Sequence, residues 1–264
     1  MIKQNQNSVT VKDILQIMDQ IAPPELAAEW DKVGLQVGWP DQAVKCVLLT
    51  LDFNENALKQ ALDKHCELVI VHHPLFFSPL PTIRHDVPEQ RLVQGLIQNK
   101  ISLIVAHTNL DAAQGGVADS LADILGLSSI NRQLIGMYGR QGDLAEQVSL
   151  SQLIASVRAI LGASGCRVNT DQNRLISRLA VFPGSFAEED IPLLEQFEVE
   201  ALVCGELKHH IGLMLAARGV AAIDTGHDVS ERVVLQPLAD RLAEQLPQIS
   251  FAVSGGFDYN KMVF

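Results

Sequence analysis

Four short apolar runs in this chain are each followed closely by residue types that bind metals. The runs and the polar residues after them are 68–71 with His72 and His73, 103–106 with His107 and Asp111, 201–204 with Glu206, His209 and His210, and 220–223 with Asp224, His227 and Glu231. Short apolar runs closed by polar residues are typical of buried parallel strands. Ligands of open α/β sheets bind beyond the carboxyl ends of such strands, so the pattern predicts a binding site built from strand ends.

The rest of the chain predicts helices that alternate with strands. Helices are expected over 11–21, 55–64, 89–99, 117–125, 150–161, 188–197, 209–218 and 230–246, and further strands over 44–52, 166–169, 176–182 and 249–253. This alternation predicts an α/β fold of two similar domains with mainly parallel sheets. The loop-rich stretch 128–143, with at most one strand, is the candidate boundary. It divides the chain into a first domain over 1–127 and a second over 128–264.

Composition and charge narrow the functional classes. The net charge of −11 opposes a general nucleic-acid or anionic-membrane surface, because both need a basic footprint. No stretch reaches the roughly 18 to 20 apolar residues of a membrane span, and the polar start lacks a signal core. Four distant cysteines without a CxxC pair are expected to be reduced thiols in or near the core. We therefore expect a cytoplasmic protein without membrane or nucleic-acid partners.

The strand-end residues form a set that suits a pair of transition metals. Imidazole and carboxylate together bind Zn, Fe, Mn, Co or Ni. At a strand end, neighbours such as His72 and His73 can aim at two nearby points, which two metals about 3.5 to 4 Å apart would use. Asp111 is the best candidate for a bridging carboxylate. His227 and Glu231 are spaced i and i+4, on one face of a helix. The predicted ligands of two divalent cations are His72, His73, Asp111, His227 and Glu231.

Each of these pairs also has a purely structural interpretation. His107 and Asp111 would suit a turn, and His227 with Glu231 would suit a solvated helix pair. The coincidence of all of them at strand ends favours the metal interpretation. We expect His107 to support the site, because metal-bound groups need hydrogen-bonded partners.

Several other residues are less specific. Glu206, His209 and His210 are candidates for the rim of the site, although the two histidines equally suit an exposed helix start. We expect His65 and His85 to lie at the surface, and Trp30 to serve packing rather than function. The sequence shows no aromatic cluster that would stack on a base and no phosphate-binding loop.

A series of motifs resembles the Nif-three-like proteins, also called GTP cyclohydrolase 1 type 2 homologs. The matching segments are 30–31, 33–38, Asp52, 69–74, 107–111, 139–142, 205–210 and 226–231, in family order over nearly the whole chain. The resemblance implies a dinuclear metal centre in the cleft between two similar α/β domains, with the segment from about 224 returning to the shared site. It also implies a toroidal homohexamer and the same five ligands, with His107 in support.

Two functional hypotheses follow. The first is a metal-dependent hydrolase that activates water against a nucleotide-like small molecule. Glu206 or His107 would move protons, since proton transfer needs a group within reach whose pKa lies near the working pH. The second is a non-enzymatic metal-binding or metal-handling protein that forms a ring. A third hypothesis, nucleic-acid processing within a ring, conflicts with the charge.

Overall fold

The computed structural model describes residues 8–127 and 132–254. Its helices are α1 (Val11–Ile21), α2 (Glu55–Asp63), α3 (Pro88–Gln98), α4 (Thr108–Ala112), α5 (Val117–Ile124), α6 (Leu150–Leu161), α7 (Ile191–Gln196), α8 (His209–Ala217), α9 (His227–Glu231) and α10 (Leu235–Gln245). Its strands are β1 (Gly34–Val37), β2 (Cys46–Thr50), β3 (Leu68–Val71), β4 (Ser102–Val105), β5 (Gln133–Ile135), β6 (Gly139–Ser149), β7 (Arg167–Val168), β8 (Leu175–Ser185), β9 (Ala201–Glu206), β10 (Ala221–Asp224) and β11 (Ser250–Val253).

The chain forms two compact units, which differ from the domains predicted over 1–127 and 128–264. Among the described residues, the first unit contains 8–113 and 235–254, and the second contains 114–127 and 132–234. The C-terminal segment belongs to the first unit because β11 pairs in parallel with β2. The α5 helix belongs to the second unit, where Leu121 and Ala122 pack in the apolar core with strand β8 residues such as Leu179 and Val181.

The first unit is built on a five-stranded sheet in the order β1-β4-β3-β2-β11. The strands β4, β3, β2 and β11 are parallel, and β1 alone runs antiparallel along β4. All four residues of β3 and all four of β4 are buried, as the unbroken apolar runs predicted. The parallel strands therefore bring their carboxyl ends to one edge of the sheet.

The second unit has a six-stranded sheet in the order β5-β6-β8-β9-β10-β7. Its parallel part is β8-β9-β10, while β5, β6 and β7 are antiparallel. The mixed α/β class is confirmed, but half of this second sheet is not parallel. Two apolar clusters pack within this unit, one around Val203 and one around Phe182.

Two segments differ from the predicted secondary structure. The stretch 128–143 was expected to be loop-rich with at most one strand, but its described part contains β5 and the start of the eleven-residue β6. The sequence of β6 is largely polar, so it gave no apolar strand signal. The strand is stabilised by its antiparallel ladder with β8. The helix expected over 230–246 is interrupted by a 3-10 turn at Arg232–Val234, where the chain passes from the second unit to the first.

The cysteine and surface predictions are confirmed in the described residues. All four cysteines are free thiols, and Cys66 and Cys204 are buried. Burial raises the pKa of both of these thiols. His65 and His85 are exposed, as expected. The expectation that Trp30 serves packing is wrong, because its side chain lies at the surface. In the described residues, no helix is long and apolar enough to cross a membrane.

A buried ion pair ties α5 to β6. Arg140 Nε lies 2.8 Å from Asp119 Oδ1, and the backbone N–H of Gly115 donates to Asp119 Oδ2 at 2.7 Å. Burial alone would raise the pKa of Asp119, but the hydrogen bonds from Arg140 and Gly115 outweigh it, and the pKa lies below its ordinary value. The pair gives Arg140, a residue of the 139–142 motif, a structural role.

We predict that Asp119→Asn destabilises the protein by about 3 to 5 kcal/mol at pH 7, because it leaves the Arg140 charge buried without its partner. The lowered pKa means that the stabilisation is complete above the unfolded value of 3.8 and is lost as pH falls through the lower folded pKa. Urea unfolding at several pH values measures this difference. The control is Asp63→Asn, which removes an exposed ion pair with Lys59 and should change stability by less than about 1 kcal/mol. Equal effects of the two substitutions would contradict the prediction.

Candidate metal centre

In the first unit, the residues that follow β2, β3 and β4 continue the parallel ladder beyond the strands. The backbone N–H of His72 donates to Thr50 O at 3.1 Å, and that of His73 donates to Leu51 O at 2.9 Å. Ala106 N–H donates in turn to Val71 O at 3.0 Å. The two histidines are therefore held by the backbone of the sheet, as the strand-end pattern predicted.

His72 is buried, and its ring orientation is set by a backbone carbonyl. Its Nδ1 atom lies 2.9 Å from Ala106 O. A carbonyl oxygen can only accept, so Nδ1 carries the proton and the Nε2 lone pair is available to a metal. Nε2 lies 3.6 Å from Asp111 Oδ1. The short helix α4 places Asp111, whose backbone N–H donates to His107 O at 3.0 Å.

His73 and His107 are oriented in the same way by carboxylates. His73 Nδ1 lies 2.8 Å from Asp52 Oδ1, and His107 Nδ1 lies 3.0 Å from Asp31 Oδ1. Both interactions place the proton on Nδ1, which leaves the Nε2 lone pair available to a metal. One ligand atom from each of His72, His73 and His107 lies within 4.8 Å of the others. The first unit thus presents three imidazoles that could bind a cation.

Asp31 is the buried anchor behind His107. It also accepts hydrogen bonds from the backbone N–H of Thr108 at 3.0 Å and of Lys32 at 2.7 Å. Burial alone would raise the pKa of Asp31, but hydrogen bonds from Thr108 and His107 hold it below its ordinary value. For His107, burial lowers the pKa and outweighs the opposing effect of Asp31. The carboxylate therefore stays charged and the imidazole favours its neutral form.

In the second unit, β9 ends at Glu206 and the short helix α9 begins three residues after β10. His227 Nδ1 lies 3.2 Å from Glu206 Oε2, and His227 Nε2 lies 3.0 Å from Glu231 Oε1. The Glu231 side chain is only 4% exposed. Both ring nitrogens of His227 therefore lie against carboxylate oxygens, one of them buried, an arrangement that favours a cation.

Two glycines let α9 approach the sheet closely. The N–H of Gly184 donates to Ser230 Oγ at 2.9 Å, and Ser230 Oγ donates to His227 O at 2.8 Å. A Cβ atom at Gly205 would lie 2.8 Å from Gly184 O and 2.9 Å from His227 Cα. Only glycine fits here, which gives a physical reason for the Gly205-Glu206 pair in the sequence.

The donor spacing fits a divalent transition metal. Nitrogen and oxygen ligands at 2.0 to 2.2 Å from one metal are about 3.0 to 3.5 Å apart in octahedral or tetrahedral geometry. The separation is 3.0 Å for His227 Nε2 and Glu231 Oε1, and 3.6 Å for His72 Nε2 and Asp111 Oδ1. Each pair is thus close to the separation of two ligands that share a cation.

The remaining candidates take different positions. Glu206 supports His227 through its Nδ1 atom, and His107 shares the cluster of His72 and His73. His210 is exposed and lies 3.3 Å from Glu188 Oε2, as expected for the start of a surface helix. His209 lines a separate cavity of about 250 Å³ together with Arg167 and Lys208.

Sequence reasoning missed the two carboxylates that support histidines in the first unit. Asp52 follows β2 by two residues and so obeys the strand-end rule that identified the ligands. Its match to the family motifs does not by itself indicate a role for it. Asp31 follows no apolar strand, and only its place beside Trp30 in a matched motif singled it out.

These features define an α/β protein whose strand ends carry clusters of histidine and carboxylate that could bind metals. A family model described as Duf34/NIF3 (NGG1p interacting factor 3) matches residues 9–256, so the chain belongs to this family. The resemblance inferred from the motifs is confirmed.

Curated relatives and solved structures agree with this family. A Clostridium perfringens protein named GTP cyclohydrolase 1 type 2 homolog is 30% identical over 251 residues, 92% of this chain and 95% of the relative. A Lactococcus lactis protein of the same name is 32% identical over 237 residues, 88% and 91% of the two chains. The fold is similar to that of a NIF3-related Bacillus cereus protein, with a TM-score of 0.88 at 21% identity, covering 98% of this chain and 100% of the other.

We predict that Gly205→Ala destabilises the protein by about 1 to 3 kcal/mol, because the added methyl group would press on backbone atoms of Gly184 and His227. The matched control is Gly212→Ala in α8, where the nearest atom to the new Cβ would be Leu207 Cδ2 at 3.4 Å. That change should be neutral or stabilising by up to about 1 kcal/mol, since alanine is the better helix former. Thermal unfolding of both variants measures the difference. A Gly205→Ala variant as stable as the control would contradict this packing argument.

Proposed function

We propose that this protein is a metal-dependent hydrolase with two divalent transition-metal ions per chain. The proposed ligands are His72, His73, Asp111, His227 and Glu231. The observation that carries the proposal is the shared orientation of the imidazoles. The Nδ1 atoms of His72 and His73 lie within 2.9 Å of oxygens that only accept, so both rings present Nε2 to a cation. His227 lies between the carboxylates of Glu206 and Glu231, and its Nε2 faces the proposed ligand Glu231.

In this proposal the cations activate water, and protein side chains hold the cations and transfer protons. When bound, a pair of divalent cations supplies a water nucleophile near neutral pH and polarises the group under attack. Asp111 is the proposed bridging carboxylate. His107 and Glu206 are the proposed proton carriers, because each lies beside a ligand histidine and has an ionisable side chain. In this role His107 would accept a proton on Nε2, since Nδ1 is engaged by Asp31.

The proposed substrate is a nucleotide-like small molecule. The support for this class is the name of the relatives, GTP cyclohydrolase 1 type 2 homolog, which names a reaction on GTP. Opening of a nucleobase ring by water is a hydrolysis at a carbon bonded to nitrogen, and an activated water with a nearby proton carrier suits it.

We predict that wild-type protein reloaded with a transition metal holds about two cations per chain, and that His72→Ala holds about one or fewer. Turnover of the nucleotide substrate should fall at least about 100-fold, since loss of a supporting residue alone costs about 10- to 100-fold. Glu231→Gln should also lower both the metal content and the turnover, since Glu231 is a proposed ligand of the same cations. Elemental analysis and a nucleotide turnover assay measure the two effects.

The matched control is His65→Ala, which removes an exposed histidine outside the clusters. Asp52→Asn tests the orientation of His73 and should lower metal affinity by about 10- to 100-fold without abolishing binding. Activity that survives His72→Ala would refute the hydrolase mechanism. Two tightly bound cations without turnover of any nucleotide would instead support a non-enzymatic metal-binding role.

We also propose that the protein assembles into a homohexameric ring, which the family resemblance implies. Light scattering coupled to size-exclusion chromatography should give about six times the 28.8 kDa mass of the chain. A mass of one or two chains at micromolar concentration would contradict this proposal and would leave the metal ligands unaffected.

A further inference from the structure

Two large aromatic side chains lie exposed beside the histidine cluster of the first unit. Trp30 is 59% exposed and Phe77 is 49% exposed. Their ring centroids are 6.1 Å apart with an interplanar angle of 44°. Both rings contact His107, at centroid distances of 5.9 Å for Trp30 and 6.0 Å for Phe77. Exposure of two adjoining aromatic rings is costly in water, so it points to a partner that covers them.

Polar contacts fix the chain next to both rings. Trp30 precedes Asp31, whose carboxylate is fixed by His107 and Thr108. Phe77 lies in the loop after His73, and the Gln36 side chain clamps this loop. Its Nε2 donates to Phe76 O at 3.0 Å and its Oε1 accepts from Leu75 N–H at 3.2 Å. The platform is therefore already formed before any ligand arrives, which lowers the entropic cost of binding.

We propose that Trp30 and Phe77 form a stacking platform that recognises a planar nitrogen heteroaromatic ring of the substrate. The inference rests on the proposed function, because it names the part of the substrate that would lie beside His107. The sequence alone shows no aromatic cluster of this kind. Trp30 and Phe77 are distant in sequence, and only the fold places them together.

A flat ring suits this platform better than an aliphatic or fully charged ligand. Aromatic faces stack on nucleobases irrespective of base identity, since every base has a π-face. The neighbouring carboxylate of Asp52 is 54% exposed and would repel a free anion that lacked a cation. The platform would therefore bind the ring, while charged groups of the substrate would depend on bound metals.

Tryptophan fluorescence tests this inference directly. The chain has two tryptophans, Trp30 and Trp39, so Trp39→Phe leaves Trp30 as the single fluorophore. Metal-loaded full-length protein is titrated with GTP, UTP and folic acid, which carry purine, pyrimidine and pterin rings. Inorganic tripolyphosphate serves as the probe without a ring. We expect saturable quenching of Trp30 by at least one ring-bearing probe and no quenching by tripolyphosphate.

Calorimetric titration of substituted protein provides the second measurement. Trp30→Ala and Phe77→Ala should each weaken binding of the quenching probe by about 5- to 150-fold, the range of base–aromatic stacking. Affinity for tripolyphosphate and the metal content should stay unchanged. Trp39→Ala is the matched control, because Trp39 is also exposed, at 40%, and its backbone N–H donates to Ser102 Oγ rather than to a residue of the histidine cluster.

The outcomes separate this inference from the hydrolase proposal. Ring-dependent binding without turnover supports the platform and refutes the hydrolase. Turnover that is unaffected by Trp30→Ala and Phe77→Ala refutes the platform alone. The platform is also refuted if none of the three ring-bearing probes binds wild-type protein. The same holds if the two substitutions lower the solution mass, since the rings would then be a contact between subunits.

Discussion

The candidate centre depends on a hydrogen bond from histidine Nδ1 to an oxygen that can only accept. Such a bond fixes the tautomer, the orientation of the ring and the position of the Nε2 lone pair at once. His72 makes this bond to a backbone carbonyl, whereas His73 and His107 make it to carboxylates. Without these acceptors the same histidine side chains would be mobile and their tautomers undefined. Their closeness alone would then be weak support for a metal site.

The buried carboxylates are the second constraint. Asp31 and Glu231 are both almost fully buried, and a buried negative charge is unfavourable unless donors or cations surround it. Asp31 meets this need with hydrogen bonds from Thr108, Lys32 and His107. Glu231 Oε1 lies 3.0 Å from His227 Nε2. Asp31 therefore supports a histidine of the first unit, whereas Glu231 is one of the side chains that could bind a metal.

Much of this could be predicted from sequence, because buried parallel strands have a strong signal. The runs 68–71 and 103–106 are apolar throughout, so β3, β4 and the residues after them were found directly. The ligand types followed from their place at strand ends. The strand β6 was missed because an edge-side antiparallel strand can be polar on much of its length, and its stability comes from pairing with β8.

Contacts between distant residues had no signal of their own. Asp31 and His107 are 76 positions apart, and Trp30 and Phe77 are 47 apart, so no local pattern links them. The division into units was obscured in a similar way. The helix pattern over 230–246 is continuous in sequence, yet α9 and α10 belong to different units and only a 3-10 turn separates them.

The register of the parallel sheet explains why supporting residues lie where they do. Thr50 pairs with Val71 and Val71 pairs with Val105, so the continued ladder places Asp52 opposite His73 and Ala106 opposite His72. Those are the acceptors that hold the two imidazoles. Neighbouring strands lie about 4.8 Å apart, a spacing that a histidine ring and a short acceptor can bridge. A parallel sheet whose strands end in histidine therefore generates its own supporting acceptors, provided that the adjacent strand carries an aspartate or a carbonyl at the matching position.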